Sequence, residues 1–109
     1  MYIYNVTFIV ERHNEQRFLQ WMRSEALPAL VNAQSPARSP RLTIVAEVPG
    51  DPDFSRHVCN FAFQTEYESL AEAQKWAEIF LQPLLGRYAA EFGAEQALSF
   101  ATVLEEIPL

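Results

Sequence analysis

The sequence predicts an α+β sandwich in which four antiparallel strands form one sheet and two helices cover one of its faces. Three observations predict this class. Four segments combine β-branched and aromatic residues with period-two alternation. Two segments of helical period separate the first strand from the second and the third strand from the fourth. The resulting order, β-α-β-β-α-β, is typical of a single ferredoxin-like domain, here spanning residues 1–109.

The first strand and first helix follow from the opening thirty residues. The segment YIYNVTFIVE, residues 2–11, alternates in polarity and predicts the first strand. Asn14 is the predicted N-cap of a helix whose apolar stripe begins at Phe18. Pro28 lacks a backbone donor and crowds the preceding turn, so we expect it to break or kink this helix near Ser24.

A pair of antiparallel strands occupies the middle of the chain. Two Ser-Pro steps predict a loop over residues 33–40, and RLTIVAEV predicts the second strand over 41–48. Pro, Gly and Asp are concentrated in 49–55, which predicts a connecting loop. The third strand is predicted over 56–66.

The second helix and fourth strand complete the pattern. Ser69 and Glu72 form a capping-box pattern before an apolar-periodic run. Pro83 predicts a break or kink in the helix, and Gly93 its end. The fourth strand is predicted over 97–107.

Two helices can cover only one face of such a sheet, yet several strands carry apolar residues on both faces. In the first strand, Tyr2, Phe8 and Val10 alternate with Ile3 and Ile9. Burying roughly 600 Å² at about 25 cal/mol/Å² would contribute on the order of 15 kcal/mol before the cost of association. We therefore expect a homodimer that packs its sheet faces together. The alternative is that loop 33–40 or a C-terminal extension covers the second face.

Composition excludes several classes of function. The formal net charge is −6 and Lys75 is the only lysine, which argues against nucleic-acid binding. No apolar run approaches the length of a membrane span, and no signal-peptide pattern follows Met1. Cys59 is the only cysteine, which suits a reducing compartment. We expect a cytoplasmic protein that contacts neither nucleic acid nor membrane.

Short motifs along the chain resemble a small uncharacterised bacterial family, domain of unknown function 4286. They are Tyr4-Asn5-Val6-Thr7, Trp21-Met22, Leu27-Pro28 and the closing Phe100-x-Thr102-x-Leu104-Glu105. The resemblance covers nearly the whole chain, and none of the motifs is catalytic. It implies a ferredoxin-like fold related to the dimeric α/β barrels, and it implies no established activity.

The dimeric α/β barrel group includes cofactor-independent monooxygenases and haem-degrading enzymes. Some of them place a strand-one Asn, a helix-two Trp and a following His or Arg around a substrate between sheet and helices. By that resemblance, Asn5, Trp76 and Arg87 are candidate ligand-binding residues. As a pocket amide between sheet and helices, Asn5 would share the site with Tyr2 or Tyr88. The alternative is structural: Trp76 lies on the apolar stripe of its helix and belongs to the core, and a cross-strand neighbour or water satisfies the Asn5 amide.

Other reactive side chains carry weaker signals. Neither His13 nor His57 has a partner at metal-ligand spacing, so we expect no metal site. Cys59 is interpreted as a buried structural thiol, and the three glycines form no phosphate-binding loop. We expect no cofactor.

The sequence as a whole predicts a dimeric module with a ligand-binding or structural role, and it favours a protein without enzymatic activity over an enzyme. The alternative is a cofactor-independent monooxygenase or isomerase that acts on an apolar or aromatic small molecule. The substrate or ligand and the physiological role stay open at this point.

Overall fold

The computed structural model describes residues 1–109 and has four antiparallel strands in one sheet with two helices against it. This confirms the predicted α+β class. The strands are β1 (Tyr2–Glu11), β2 (Arg38–Ile44), β3 (Val58–Tyr67) and β4 (Leu98–Glu105).

The sheet has the order β2-β3-β1-β4, so that β1 lies between β3 and β4 and hydrogen-bonds to both. Asn5 lies opposite Gln64 on β3 and opposite Thr102 on β4. Because side chains alternate along a strand, this register fixes which residues share a face of the sheet.

Each helix is continuous but contains one widened turn. The first, α1, covers residues 15–30 as an α-helical segment (Glu15–Trp21), a π-helical turn (Met22–Ala26) and a final α-helical segment (Leu27–Leu30). The second, α2, covers residues 70–92 in the same way, as Leu70–Trp76, Ala77–Leu81 and Gln82–Phe92.

The widened turns explain why neither proline ends its helix. In a regular helix the ring of Pro28 would collide with the carbonyl of Ser24, four residues earlier. Here the amide of Leu27 instead bonds to the carbonyl of Met22, five residues back, which opens the turn before the ring. The expected break near Ser24 is therefore a widened turn, and the helix continues to Leu30.

The same spacing recurs in both helices. Trp21 precedes Pro28 by seven residues, and Trp76 precedes Pro83 by seven residues. In each case the π-helical turn begins directly after the tryptophan. The two helices thus share one local arrangement, in which a tryptophan lies in the core, a π-helical turn follows it, and a proline lies seven residues after it.

The core lies between the helices and one face of the sheet. Its strand residues are the even positions of β1 and the odd positions of β3, such as Phe8 and Phe61. Phe18 of α1 stacks on Phe61 with ring centroids 4.8 Å apart. The opposite face carries the odd positions of β1 and the even positions of β3 and β4, and no element of the chain covers it. We call it the open face.

The helix termini agree in part with the predicted caps. The Ser69 hydroxyl accepts a hydrogen bond of 3.1 Å from the amide of Glu72, as a capping residue should. Asn14 directly precedes α1, but its side chain makes no capping hydrogen bond. Gly93 follows α2 at φ 88°, a left-handed conformation that favours glycine.

The second strand begins three residues earlier than predicted, at Arg38 instead of residue 41, and ends at Ile44. The Ser-Pro step at residues 39–40 was expected to lie in a loop. Ser39 adopts a positive φ of 52°, and the register shifts between Arg38 and Arg41. This bulge carries the edge strand past Pro40, because a bulged edge position does not need the amide that proline lacks.

Candidate functional site

A row of polar side chains crosses the open face from one edge of the sheet to the other. It takes one residue from each strand in register, in the order Arg41, Gln64, Asn5 and Thr102. The Asn5 Oδ1 accepts a hydrogen bond of 3.0 Å from Gln64 Nε2. The Asn5 Nδ2 donates to the hydroxyls of Thr7 at 3.3 Å and Thr102 at 3.5 Å. We call these four residues the polar row.

On β4, large apolar side chains lie on both sides of Thr102, the residue that this strand contributes to the polar row. Phe100 is 54% exposed, and Leu98 and Leu104 are exposed to a similar degree. Each lies beside an apolar or hydroxyl-bearing residue of β1, since Leu98 pairs with Ile9 and Leu104 with Ile3. The open face therefore presents apolar surface on both sides of a central polar strip.

Trp76 lies on the other side of the sheet, in the core. It is 1% exposed, and its indole Nε1 donates a hydrogen bond of 2.9 Å to the carbonyl of Leu30. Its ring lies 5.3 Å from that of Tyr4 and 5.5 Å from that of Tyr67, measured between centroids. The indole thus joins the two helices to the helix-facing side of the sheet.

An apolar pocket of about 510 Å³ opens at the surface above Trp76. Its apolar walls come from Pro36, Ile79 and Phe80, and Ile79 is 52% exposed. Three polar residues complete the lining: Gln34, Glu72 and Lys75. The Lys75 ammonium forms no ion pair within the chain, because all six ion pairs involve other cations.

Arg87 lies on the outer surface of the helix layer. Its guanidinium pairs with Glu25 at 3.0 Å and so links α2 to the widened turn of α1. It lines an open groove of about 640 Å³ between the helices, whose other charged residues are Arg17 and Glu91, which pair with each other at 3.3 Å. Both arginines are occupied by carboxylates of the neighbouring helix, which indicates helix–helix attachment.

Tyr88 is a core residue. It is 2% exposed, and its ring contacts Phe8, Trp21 and Phe92 at centroid distances of 5.1, 5.3 and 5.2 Å. Burial raises the pKa of its hydroxyl to about 12. The ring consolidates the contact between the sheet and both helices.

The structure does not bring the four candidate residues together. Asn5 faces the open side of the sheet, Trp76 and Tyr88 lie in the core, and Arg87 lies on the outer helix surface. Asn5 is satisfied by cross-strand neighbours, which is the structural alternative considered for it. Of the four, only Trp76 adjoins an apolar pocket.

The sequence did not predict two features of the structure, the polar row on the open face and the pocket on the helix surface beside Trp76. The polar row depends on strand register, which period-two alternation does not specify. The pocket beside Trp76 combines residues from the 31–37 connection with one side of α2. The exposed Ile79, an apolar residue off the buried stripe of its helix, was the one available signal.

The reactive side chains are dispersed. No group of three or more His, Cys, Asp or Glu side chains is placed to hold a metal ion. Cys59 is buried and free, and burial raises the pKa of its thiol. Neither helix has a stretch whose length and hydropathy would let it cross a membrane.

Comparisons with known proteins relate the chain to a solved structure of the same fold and to a sequence family. Among solved structures, the chain is similar to an ethyl tert-butyl ether d (EthD) family protein from Bacillus halodurans, with a TM-score of 0.65 and 16% sequence identity. The match covers 98% of this chain and 100% of that one, and it shows a shared fold. No curated protein has a significant sequence match to the chain. A family model described as a domain of unknown function, DUF4286, matches residues 1–107, so the chain belongs to the DUF4286 family.

Proposed function

We propose that the protein is a cytoplasmic homodimeric module that packs two open faces together and binds a small apolar molecule in the pocket beside Trp76. The observation that carries the assembly is the exposed apolar surface of β4, centred on Phe100. The free, buried Cys59 suits the reducing conditions of the cytoplasm.

The area of the open face supports association with a second copy. Four strands spaced by about 4.8 Å, with roughly eight residues of about 3.3 Å each, cover roughly 500 Å² in projection. The accessible area of a corrugated face is larger and reaches the lower range of stable interfaces, about 600 Å² per partner. The apolar part of this face is formed by the exposed side chains of Leu98, Phe100 and Leu104, and contiguous exposed apolar surface often marks an interaction site.

The assembly is tested by two matched substitutions on opposite sides of the molecule. Phe100→Asp and Ile79→Asp each place a carboxylate at a half-exposed apolar position, on the open face and on α2 respectively. Sedimentation velocity at micromolar concentration should find wild type and Ile79→Asp as dimers and Phe100→Asp as a monomer. A monomeric wild type, or equal behaviour of both variants, would contradict the proposal.

The pocket beside Trp76 supports ligand binding through its shape and composition. Its volume of about 510 Å³ lies within the range of about 300–1,000 Å³ of small-molecule sites. Ile79 and Phe80 offer apolar contact, while the unpaired Lys75 supplies one cation at the margin. This combination favours a compact apolar or aromatic molecule, and because the Glu72 carboxylate lies in the same lining, Lys75 gives the pocket no net preference for a negative charge.

Ligand binding is tested with indole and indole-3-acetate as probes, followed by chemical-shift changes of backbone amides. Wild type and Phe100→Asp should both show changes confined to residues near 36 and 76–80. Ile79→Asp should lose them, and Lys75→Met should weaken only the binding of indole-3-acetate. Shifts that cluster on β4 instead would refute the assignment of this pocket.

The alternative function is a cofactor-independent monooxygenase or isomerase acting on an apolar or aromatic molecule. It draws on the likeness in fold to an EthD family protein, at 16% identity. Such an enzyme would have to act without the grouping of Asn5, Trp76 and Arg87, which lie in three separate places. Turnover of a probe bound beside Trp76 would favour this alternative, with oxygen consumption for a monooxygenase and without it for an isomerase.

A further inference from the structure

The polar row leaves hydrogen-bonding groups free to meet a second molecule. Gln64 uses one amide hydrogen on Asn5, and its Oε1 makes no hydrogen bond within the chain. Arg41 forms no ion pair, and neither does Glu66, the next residue of β3 on the same face. The open face therefore carries an unpaired cation, an unpaired carboxylate and the unfilled amide of Gln64, and outside the polar row it also carries the unfilled amide of Asn60.

These groups complement a second copy of the same face. In a twofold dimer the same surface meets itself, so that any pair made from one subunit to the other is made twice. Arg41 can then meet Glu66 of the partner subunit, and the reciprocal pair forms at the same time. The amides at the centre can likewise meet amides, because an amide both donates and accepts.

The apolar part of the face does not define how two copies should be aligned. Hydrophobic burial is non-directional, so that Phe100, Leu98 and Leu104 would favour many relative positions almost equally. A displaced alignment would set the Gln64 amide, whose Oε1 has no partner within the chain, against aliphatic side chains. Asn5 is already satisfied within the chain and holds that amide in position. Leaving a buried amide unpaired is unfavourable, and this disfavours such alignments relative to the one that pairs it.

We propose that the polar row determines the orientation of the two subunits, by admitting only the twofold alignment in which amides meet amides and Arg41 meets Glu66 of the partner subunit. This role rests on the proposed homodimer and adds to it. A single buried polar residue fixes the register of two-stranded coiled coils by the same reasoning. The polar row thus supplies specificity, whereas the apolar residues of β4 supply affinity.

The test compares Asn5→Leu with Asn60→Leu, a matched change on the same face. Asn60 lies on β3 opposite Ile9, outside the polar row, and its side chain makes no hydrogen bond within the chain. Sedimentation should find all three proteins as dimers, with dissociation constants within about tenfold of each other. Backbone amide spectra should show one resonance set for wild type and Asn60→Leu, and several sets for Asn5→Leu.

Gln64→Leu is the second variant, in case Asn5→Leu fails to fold, and it should split the resonances in the same way. Charge reversal tests the ion pair: Arg41→Glu should weaken the dimer by tenfold or more, and Arg41→Glu with Glu66→Arg should restore it. A monomeric wild type would overturn both the homodimer and this inference. A wild-type dimer whose Asn5→Leu and Gln64→Leu variants keep a single resonance set, or whose charge swap fails to restore affinity, would overturn the orientation role alone.

Discussion

The indole Nε1 of Trp76 and the carbonyl of Leu30, 46 residues apart in sequence, form a buried hydrogen bond of 2.9 Å. Leu30 is the last residue of α1, and the final carbonyls of a helix have no partner within it. The hydroxyl of Ser35 donates to the same carbonyl at 2.8 Å. The indole of Trp76, in α2, therefore supplies a hydrogen-bond donor to a carbonyl at the C-terminal end of α1.

We expect Trp76→Phe to lower the free energy of unfolding by about 2–3 kcal/mol, through lost volume and the lost hydrogen bond. Trp21→Phe is the matched control, because Trp21 has the same position in α1 and its indole makes no hydrogen bond within the chain. The control should cost about 1 kcal/mol less in urea denaturation. Equal losses would mean that the bond to Leu30 contributes nothing measurable.

The widened turns predict that the prolines are well tolerated. Pro28→Ala and Pro83→Ala should each change the free energy of unfolding by less than about 1 kcal/mol, since the π-helical turn already avoids the clash and alanine loosens the unfolded chain. Ala90→Pro, at an exposed position within the regular segment Gln82–Phe92, should instead lower it by about 3 kcal/mol. Thermal unfolding followed by circular dichroism separates the two cases. A large gain in stability on removing either proline would contradict this account.

The raised pKa of Tyr88 predicts a loss of stability at high pH. Its hydroxyl ionises near pH 10.0 in the unfolded chain and at about 12 in the folded one, so that stability is full below pH 10 and declines as pH rises toward 12. Two pKa units correspond to a loss of about 2–3 kcal/mol at most. Urea denaturation of wild type and Tyr88→Phe at pH 9 and pH 11.5 measures this loss. The variant should decline less steeply, and parallel declines would show that Tyr88 ionises normally in the fold.

The sequence was sufficient for the order of the elements and for most of their bounds. Strand β1 and the capping residue Ser69 lie where alternation and the capping box predict them. Strand β2 was predicted over 41–48, and both of its ends were wrong, since it covers Arg38–Ile44. Its early start depends on the left-handed conformation of Ser39, which local propensity does not anticipate for serine. The helices continue past both prolines because a turn can widen, an option that a simple helix-breaking rule omits.

The candidate site was less predictable from the sequence. It depends on the register between neighbouring strands and on which face of the sheet the helices cover. The alternation of β1 shows that Asn5 shares a side with Ile3 and Ile9, but it does not show whether the helices cover that side. Only the pairing of Asn5 with Gln64 and Thr102 reveals the polar row. The buried position of Trp76 did follow from its helical stripe, as the structural alternative held.

The central position of β1 has a consequence for how the chain folds as it is synthesised. β1 leaves the ribosome before either of its two neighbours, which begin at Val58 and Leu98. Such distant pairings fold slowly, and an unpaired apolar strand is prone to aggregate while it waits. We expect the nascent chain to depend on chaperones until β3 has emerged and supplied the first partner for β1.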